Sequence, residues 1–196
     1  MSIVTLVSGG MDSTLVGVMA CEEGIETYPL FLDYGQLAAQ REWDTCQKVH
    51  SLLGLPEPVK LDLSGFGKLI ETGLTSSIKE IKDDAFTPGR NLIFLLMGSA
   101  YAFQKGASAV AIGLLSERLS LFPDQRQDFL SEAEKTISIA LGKNIRVVAP
   151  LIEFTKADVV NLAASKGITG TYSCHTGDVN PCGRCISCLE FQFIQN

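Results

Sequence analysis

The run Ser8-Gly9-Gly10-Met11-Asp12-Ser13 constrains this chain more than any other segment. It follows a short β-like stretch, Ile3 to Val7, and opens a helical stretch, Thr14 to Glu22. Strand, glycine turn and helix in that order make a phosphate-binding geometry. Adjacent glycines let the backbone approach an anion with no Cβ in the way. The helix start adds unpaired N–H donors and the positive end of its dipole. Ser8, Ser13 and Thr14 supply hydroxyl donors, and Asp12 is placed to hold Mg²⁺ bound to the phosphates. No lysine follows the glycines in a Gly-x-x-x-x-Gly-Lys-Ser/Thr pattern, so this is not a Walker loop.

β-like stretches recur at Ile3 to Val7, Thr27 to Asp33, Pro58 to Leu63, Ala109 to Leu114 and Ile145 to Pro150. Helical patterns fill the gaps at Ser13 to Glu23, Leu37 to Leu53, Asn91 to Lys105, Gln127 to Leu141 and Lys156 to Lys166. Such alternation predicts an α/β fold, a doubly wound parallel sheet of Rossmann-like type with helices on both faces. Ligands bind such sheets beyond the carboxyl ends of the strands. Those ends fall at Ser8-Gly9-Gly10, Asp33-Tyr34-Gly35-Gln36, Gly113 to Glu117 and Pro150 to Glu153.

At 196 residues the chain reads as one domain, residues 1–196. The longest apolar stretch, Asn91 to Phe103, lies between Arg90 and Lys105 and is too short to span a bilayer. The first residues show no secretory pattern, so a cytoplasmic protein with no membrane partner is expected. A net charge of −6 argues against a broad nucleic-acid-binding surface.

Of six cysteines, Cys21 and Cys46 stand alone on helical stretches and read as buried structural thiols. Cys174, Cys182, Cys185 and Cys188 form C-x7-C-x2-C-x2-C, with Gly177, Pro181 and Gly183 for tight turns. Close cysteine pairs turn two thiolates onto one ion, and four sulfurs complete a tetrahedral Zn²⁺ site. In a reducing compartment disulfides are disfavoured. Residues 172–190 therefore read as a C-terminal segment folded by structural zinc. His175 reads as a pocket or surface residue rather than a ligand.

Leu63 to Phe86 lacks periodicity and carries Gly65, Gly67 and Gly73 among threonines and serines. It reads as a long mobile connection, either a lid or a partly ordered loop. Arg90, at a helix start beside Gly89, is suited to bidentate contact with phosphate or carboxylate. Asp124 and Arg126 lie in a second loop before a helix.

The glycine run resembles the SGGxDS loop of the ATP pyrophosphatases. Taken in order, SGGMDST, DYGQ, PGRN, FPDxR, PL…TKAD, YSC and CGRCISC resemble the 7-cyano-7-deazaguanine synthase family, from about Val4 to Cys188. The resemblance implies an ATP-pyrophosphatase-type fold and an ATP-dependent carbon–nitrogen ligase. ATP would adenylate the carboxylate of 7-carboxy-7-deazaguanine, and ammonium would convert it to the amide. A second activation would leave the nitrile. The resemblance implies that Val7, Ser8, Gly9, Gly10, Met11, Asp12, Ser13, Thr14, Leu15, Val16 and Gly17 contact ATP. It places Ser8, Asp12, Arg90, Asp124 and Arg126 at the chemistry and zinc on the four cysteines. Two positions depart from the family: Ala38 stands where His is frequent, and Gln125 where FPDxR has Cys. A relative that stops at the amide or activates another carboxylate stays open. So do a tRNA-thiolation enzyme, a non-catalytic nucleotide-binding module, and the choice between monomer and homodimer.

Overall fold

The structure is a computed structural model that describes residues 1–116 and 122–194. Its strands are β1 (Ser2–Val7), β2 (Glu26–Asp33), β3 (Val59–Asp62), β4 (Ala109–Ala111) and β5 (Arg146–Val148). Its helices are α1 (Met11–Glu22), α2 (Ala39–Leu52), α3 (Ser64–Leu69), α4 (Arg90–Lys105), α5 (Gln127–Leu141), α6 (Lys156–Ser165) and α7 (Ile186–Ile194). All pairings are parallel, in the order β3-β2-β1-β4-β5. The doubly wound α/β reading from the sequence is therefore what the chain adopts.

Five consecutive residues of β1, Ile3 to Val7, are buried, because helices cover both sheet faces. Side chains alternate across that sheet. Val4 and Leu6 join Leu95 of α4 and Leu130 and Ile137 of α5 on one face. Ile3 joins Leu15 and Val16 of α1 and Val159 of α6 on the other. α4 lies close to the sheet at Gly98, where a Cβ would stand 2.6 Å from Val110 Cγ2.

The chain winds outward from β1 to β2 and β3, then returns to place β4 on the other side of β1. The winding reverses between β1 and β4, and a crevice opens at their carboxyl ends. The glycine run sits at that crevice because it directly follows β1.

The structure corrects several expectations. β4 and β5 are shorter than the apolar runs that announce them. Leu63 to Phe86 is not a free connection. It contains α3, buries Leu74, Ile81 and Ala85, and ties Gly73 N–H to the Asp84 carbonyl at 2.8 Å. Thr72 and Thr87 share a hydroxyl hydrogen bond of 3.0 Å across it. Cys46 is buried as expected, but Cys21 is exposed in the last turn of α1. Among the described residues, no helix is long and apolar enough to cross a membrane.

Candidate active site

The loop after β1 is held from within and from outside. Gly9 takes φ +75°, and a Cβ there would meet the Glu42 carbonyl oxygen at 2.6 Å and Cys46 N at 2.9 Å. Only glycine fits that position. The Gly9 carbonyl accepts the Tyr172 N–H at 3.0 Å. Ser13 donates to the Gly10 carbonyl at 3.2 Å and Thr14 donates to it at 2.8 Å. Ser8 N–H donates to Ser13 Oγ at 3.2 Å. Ser8 itself is exposed. The Thr14 hydroxyl is thus spent on the loop's own backbone, and Ser8 Oγ accepts the Gly10 N–H at 3.3 Å.

A cavity of about 300 Å³ opens beside the loop. Val7, Ser8, Gly10, Met11, Asp12 and Ser13 line it. Leu15 and Val16 do not; they lie in the core behind the loop, and Gly17 is buried with them. Their contribution is to fix the helix start.

Opposite the loop stands Arg90, the first residue of α4, entered through Gly89 at φ +76°. Its guanidinium lies 5.8 Å from the Tyr34 ring centroid, with Nη1 3.5 Å from the hydroxyl oxygen. Its Nε is buried without a partner, which leaves a donor for a ligand. His175 also lines the cavity, with Nδ1 buried and unpartnered. Burial, and then the nearby Arg90 charge, press its imidazole down to about 4. It is neutral near pH 7 and is not part of the cysteine cluster, as its sequence context suggested.

Asp124 lies just behind this wall. It is buried, its Oδ1 has no hydrogen-bond partner, and its carbonyl accepts from Asn91 Nδ2 at 2.9 Å. Burial raises its carboxyl, and the Arg90 charge opposes the rise. Arg126 is exposed at the start of α5 and does not line the cavity. The structure thus brings Arg90 to the loop, sets Asp124 one layer back and leaves Arg126 outside. Gln125 lines the cavity, whereas Ala38 is buried at the start of α2, with its Cα 3.1 Å from where a Cβ on Gly177 would stand. Of the two departures, only Gln125 borders the cavity. Glu117, the end of the loop expected after β4, lies outside the described residues.

Three cavity groups were not singled out from the sequence. Lys156 Nζ donates to both Asp12 carboxylate oxygens, at 2.8 and 2.9 Å, and lies 3.6 Å from Glu190 Oε2. The only sequence trace of this was the TKAD run; the partner lies 144 positions away. Glu190 comes from α7. Glu42 comes from the first turns of α2, and its Oε2 accepts from Gln36 Nε2 at 2.8 Å. Burial pushes the Glu42 carboxyl up to about 7, against the opposing effects of Gln36 and Arg90.

The four cysteines meet next to this cavity. One sulfur from each of Cys174, Cys182, Cys185 and Cys188 lies within 4.8 Å of all the others. The Cys182 and Cys188 sulfurs are 4.0 Å apart. Four converging thiols with spare lone pairs suit a soft, tetrahedral divalent ion. Ile81, from the long connection, packs on Cys174 and Cys185.

A parallel sheet with a glycine-led helix start at its winding reversal, an anion-suited arginine opposite and a four-thiol cluster alongside defines an ATP-pyrophosphatase-type nucleotide-binding domain. The chain is 15% identical to NMN synthetase from Francisella tularensis, with a TM-score of 0.55 over 91% of this chain and 68% of that one. It matches the family described as "Queuosine biosynthesis protein QueC" over residues 2–192. It is 34% identical to a 7-cyano-7-deazaguanine synthase from Campylobacter curvus, covering 94% of this chain and 88% of the relative. It is 32% identical to one from Methanothermobacter thermautotrophicus, covering 97% and 92%. The chain belongs to the QueC family.

Proposed function

We propose that this protein is a 7-cyano-7-deazaguanine synthase, an ATP-dependent carbon–nitrogen ligase of queuosine biosynthesis acting in the cytoplasm. Its substrates are 7-carboxy-7-deazaguanine, ammonium and ATP. The family match along nearly the whole chain carries the reading, and the cavity has the parts the chemistry needs.

A carboxylate resists ammonia until its oxygen becomes part of a good leaving group, and adenylation achieves this. The glycine loop from Val7 to Gly17 binds the ATP phosphates, with Gly9 and Gly10 allowing close backbone approach and Ser8 and Ser13 beside them. Mg²⁺, when bound, neutralises phosphate charge. Asp12 would be its ligand, because its carboxylate lines the cavity, with Lys156, which now donates to both carboxylate oxygens, giving up one of them to the ion. Arg90 orients the substrate carboxylate against the α-phosphate, using its unpaired Nε. Asp124 sets the position of Arg90 electrostatically, and Arg126 guides anions from outside. The four cysteines hold structural Zn²⁺, which fixes residues 172–190 against the loop. We read residues 1–196 as one domain built this way, working on small molecules without nucleic acid, as a monomer or homodimer.

Mass spectrometry of a reaction with purified protein, Mg²⁺-ATP, ammonium and 7-carboxy-7-deazaguanine tests the reading. The expected products are the nitrile and AMP. Amide alone would confine the protein to the first activation. Neither product, from protein that binds ATP and carries its metal, would refute the substrate assignment.

A further inference from the structure

Three carboxylates line the cavity: Asp12, Glu42 and Glu190. Asp12 and Glu190 share Lys156. Among the described residues, Glu42 has no ion-pair partner. Its place is nonetheless fixed. Tyr34 N–H donates to Gln36 Oε1 at 2.9 Å, so the other end of that amide faces Glu42. Gln36 Nε2 then holds Glu42 Oε2, while Glu42 Oε1 makes no hydrogen bond among the described residues. The backbone of the same residue presses on Gly9 of the phosphate loop. Arg90, on α4, is near enough for its charge to act on the carboxylate. Glu42 thus lines the same cavity as the loop and Arg90, with one carboxylate oxygen that Gln36 does not hold.

We propose that Glu42 is the proton acceptor that converts ammonium into the attacking ammonia. The inference rests on the synthase reading above. Ammonium has no lone pair and cannot attack a carbonyl. It is also the one cationic substrate, so an unpaired carboxylate is the group to receive it. One N–H proton passes to the Glu42 carboxylate, and the freed nitrogen lone pair forms a bond to the acyl carbon. The bond from that carbon to the AMP oxygen breaks, and its electron pair leaves with AMP. The second nitrogen proton goes to the departing phosphate. The products are the amide, protonated AMP and protonated Glu42, so atoms and charge balance. Glu42 then returns its proton to solvent.

The surroundings suit this cycle. Burial holds the carboxyl close to neutral pH, where a base is both available and strong enough. Arg90 favours the ionised form, and Asp33, at the end of β2, opposes it. Asp33 is itself paired with Lys60 at 2.7 Å. Tyr34 and Cys46 also feel the Glu42 charge, and burial raises both of them, so they stay neutral. His175, across the cavity, is neutral as well.

Glu42→Gln keeps the shape and the Gln36 contact but removes the acceptor. Three rates separate its roles: carboxylate-dependent ATP–pyrophosphate exchange, amide formation from ammonium, and hydroxamate formation from hydroxylamine. Hydroxylamine is neutral at pH 7.5 and needs no proton removed before attack. The variant should lose about 100-fold in kcat/KM for ammonium and keep exchange and hydroxamate formation within about twofold. Raising the pH, which supplies ammonia directly, should narrow the gap, and Glu42→Asp should recover part of the rate. An unchanged ammonium rate overturns the proposal. So does parallel loss of all three rates, which would assign Glu42 to adenylation or folding. Absence of exchange in the parent protein would instead sink the synthase reading, and the role of Glu42 with it.

Discussion

Gly9 and Gly10 are adjacent, yet the structure predicts very different consequences for giving each a methyl group. At Gly9 the φ of +75° costs an alanine about 1–2 kcal/mol. The new Cβ would also lie 2.6 Å from the Glu42 carbonyl oxygen and 2.9 Å from Cys46 N. Both are backbone atoms of α2, so no side chain can swing aside. Overpacking of this kind costs about 1–3 kcal/mol. The total of about 2–5 kcal/mol corresponds to a fall in Tm of about 4–20 °C for a chain of this size. At Gly10 the backbone is extended, with φ −79° and ψ 163°. Its Cβ would find Ser8 Oγ at 3.3 Å, a side chain that can turn, and Tyr172 O at 3.6 Å. Gly10→Ala should therefore cost about 1 kcal/mol or less, mainly as a poorer helix cap. Because Gly10 lines the cavity, it should still weaken ATP binding. Thermal unfolding by circular dichroism and ATP titration calorimetry on both variants measure the contrast. Equal Tm losses for the two, or a Gly9→Ala protein as stable as the parent, would refute the argument that loop and helix touch backbone to backbone.

Other expectations follow from the same contacts. Lys156→Met leaves Asp12 and Glu190 facing each other without their cation; removal of one partner from a buried pair costs about 3–5 kcal/mol, and the partial exposure of both acids reduces this to about 1–3. Urea unfolding midpoints would register it. Arg90→Ala should abolish most carboxylate-dependent pyrophosphate release while metal content stays at the parent value; unchanged release would remove Arg90 from the chemistry. Cys185→Ser should lower the bound metal, identified and measured by elemental analysis, and chelator treatment of the parent should lower its Tm. Glu42 bears on stability too. Its folded carboxyl lies near 7, above the usual 4.5, so the folded state binds its proton more tightly and loses stability as pH rises through that range. Glu42→Gln should match the parent at pH 4 and be more stable by roughly 3 kcal/mol at pH 8; a variant less stable at pH 8 would contradict the assigned environment.

The parts legible in the sequence are those whose signals are local. The glycine run, the strand before it and the helix after it lie within some twenty residues, and the cysteines announce themselves by spacing alone. Arg90 was legible because a proline and a glycine mark the entry to α4. Other features depend on distant partners. Lys156 is an ordinary helix-start lysine until Asp12, 144 positions earlier, is folded beside it. Glu42 looks like a solvated helical acid until Gln36 and the underside of Gly9 enclose it. Leu63 to Phe86 shows no period because threonine hydroxyls, a glycine contact and three buried apolar side chains order it, not a repeating face. Cys21 carries nothing in sequence to distinguish it from Cys46; only the placement of the last turn of α1 leaves it exposed.

The contact between Tyr172 and Gly9, together with the Glu190–Lys156–Asp12 chain, has a consequence for biosynthesis. The phosphate loop is made well before its outer supports, because Lys156, Tyr172 and Glu190 all lie far later in the chain. A nascent chain halted before residue 172 can build the central strands and both flanking helix layers up to α6, yet its loop has no clamp and its cavity lacks one wall. Nucleotide handling is thereby deferred until residues 172–190 have been made, and a product clipped before residue 172 should lack the closed cavity.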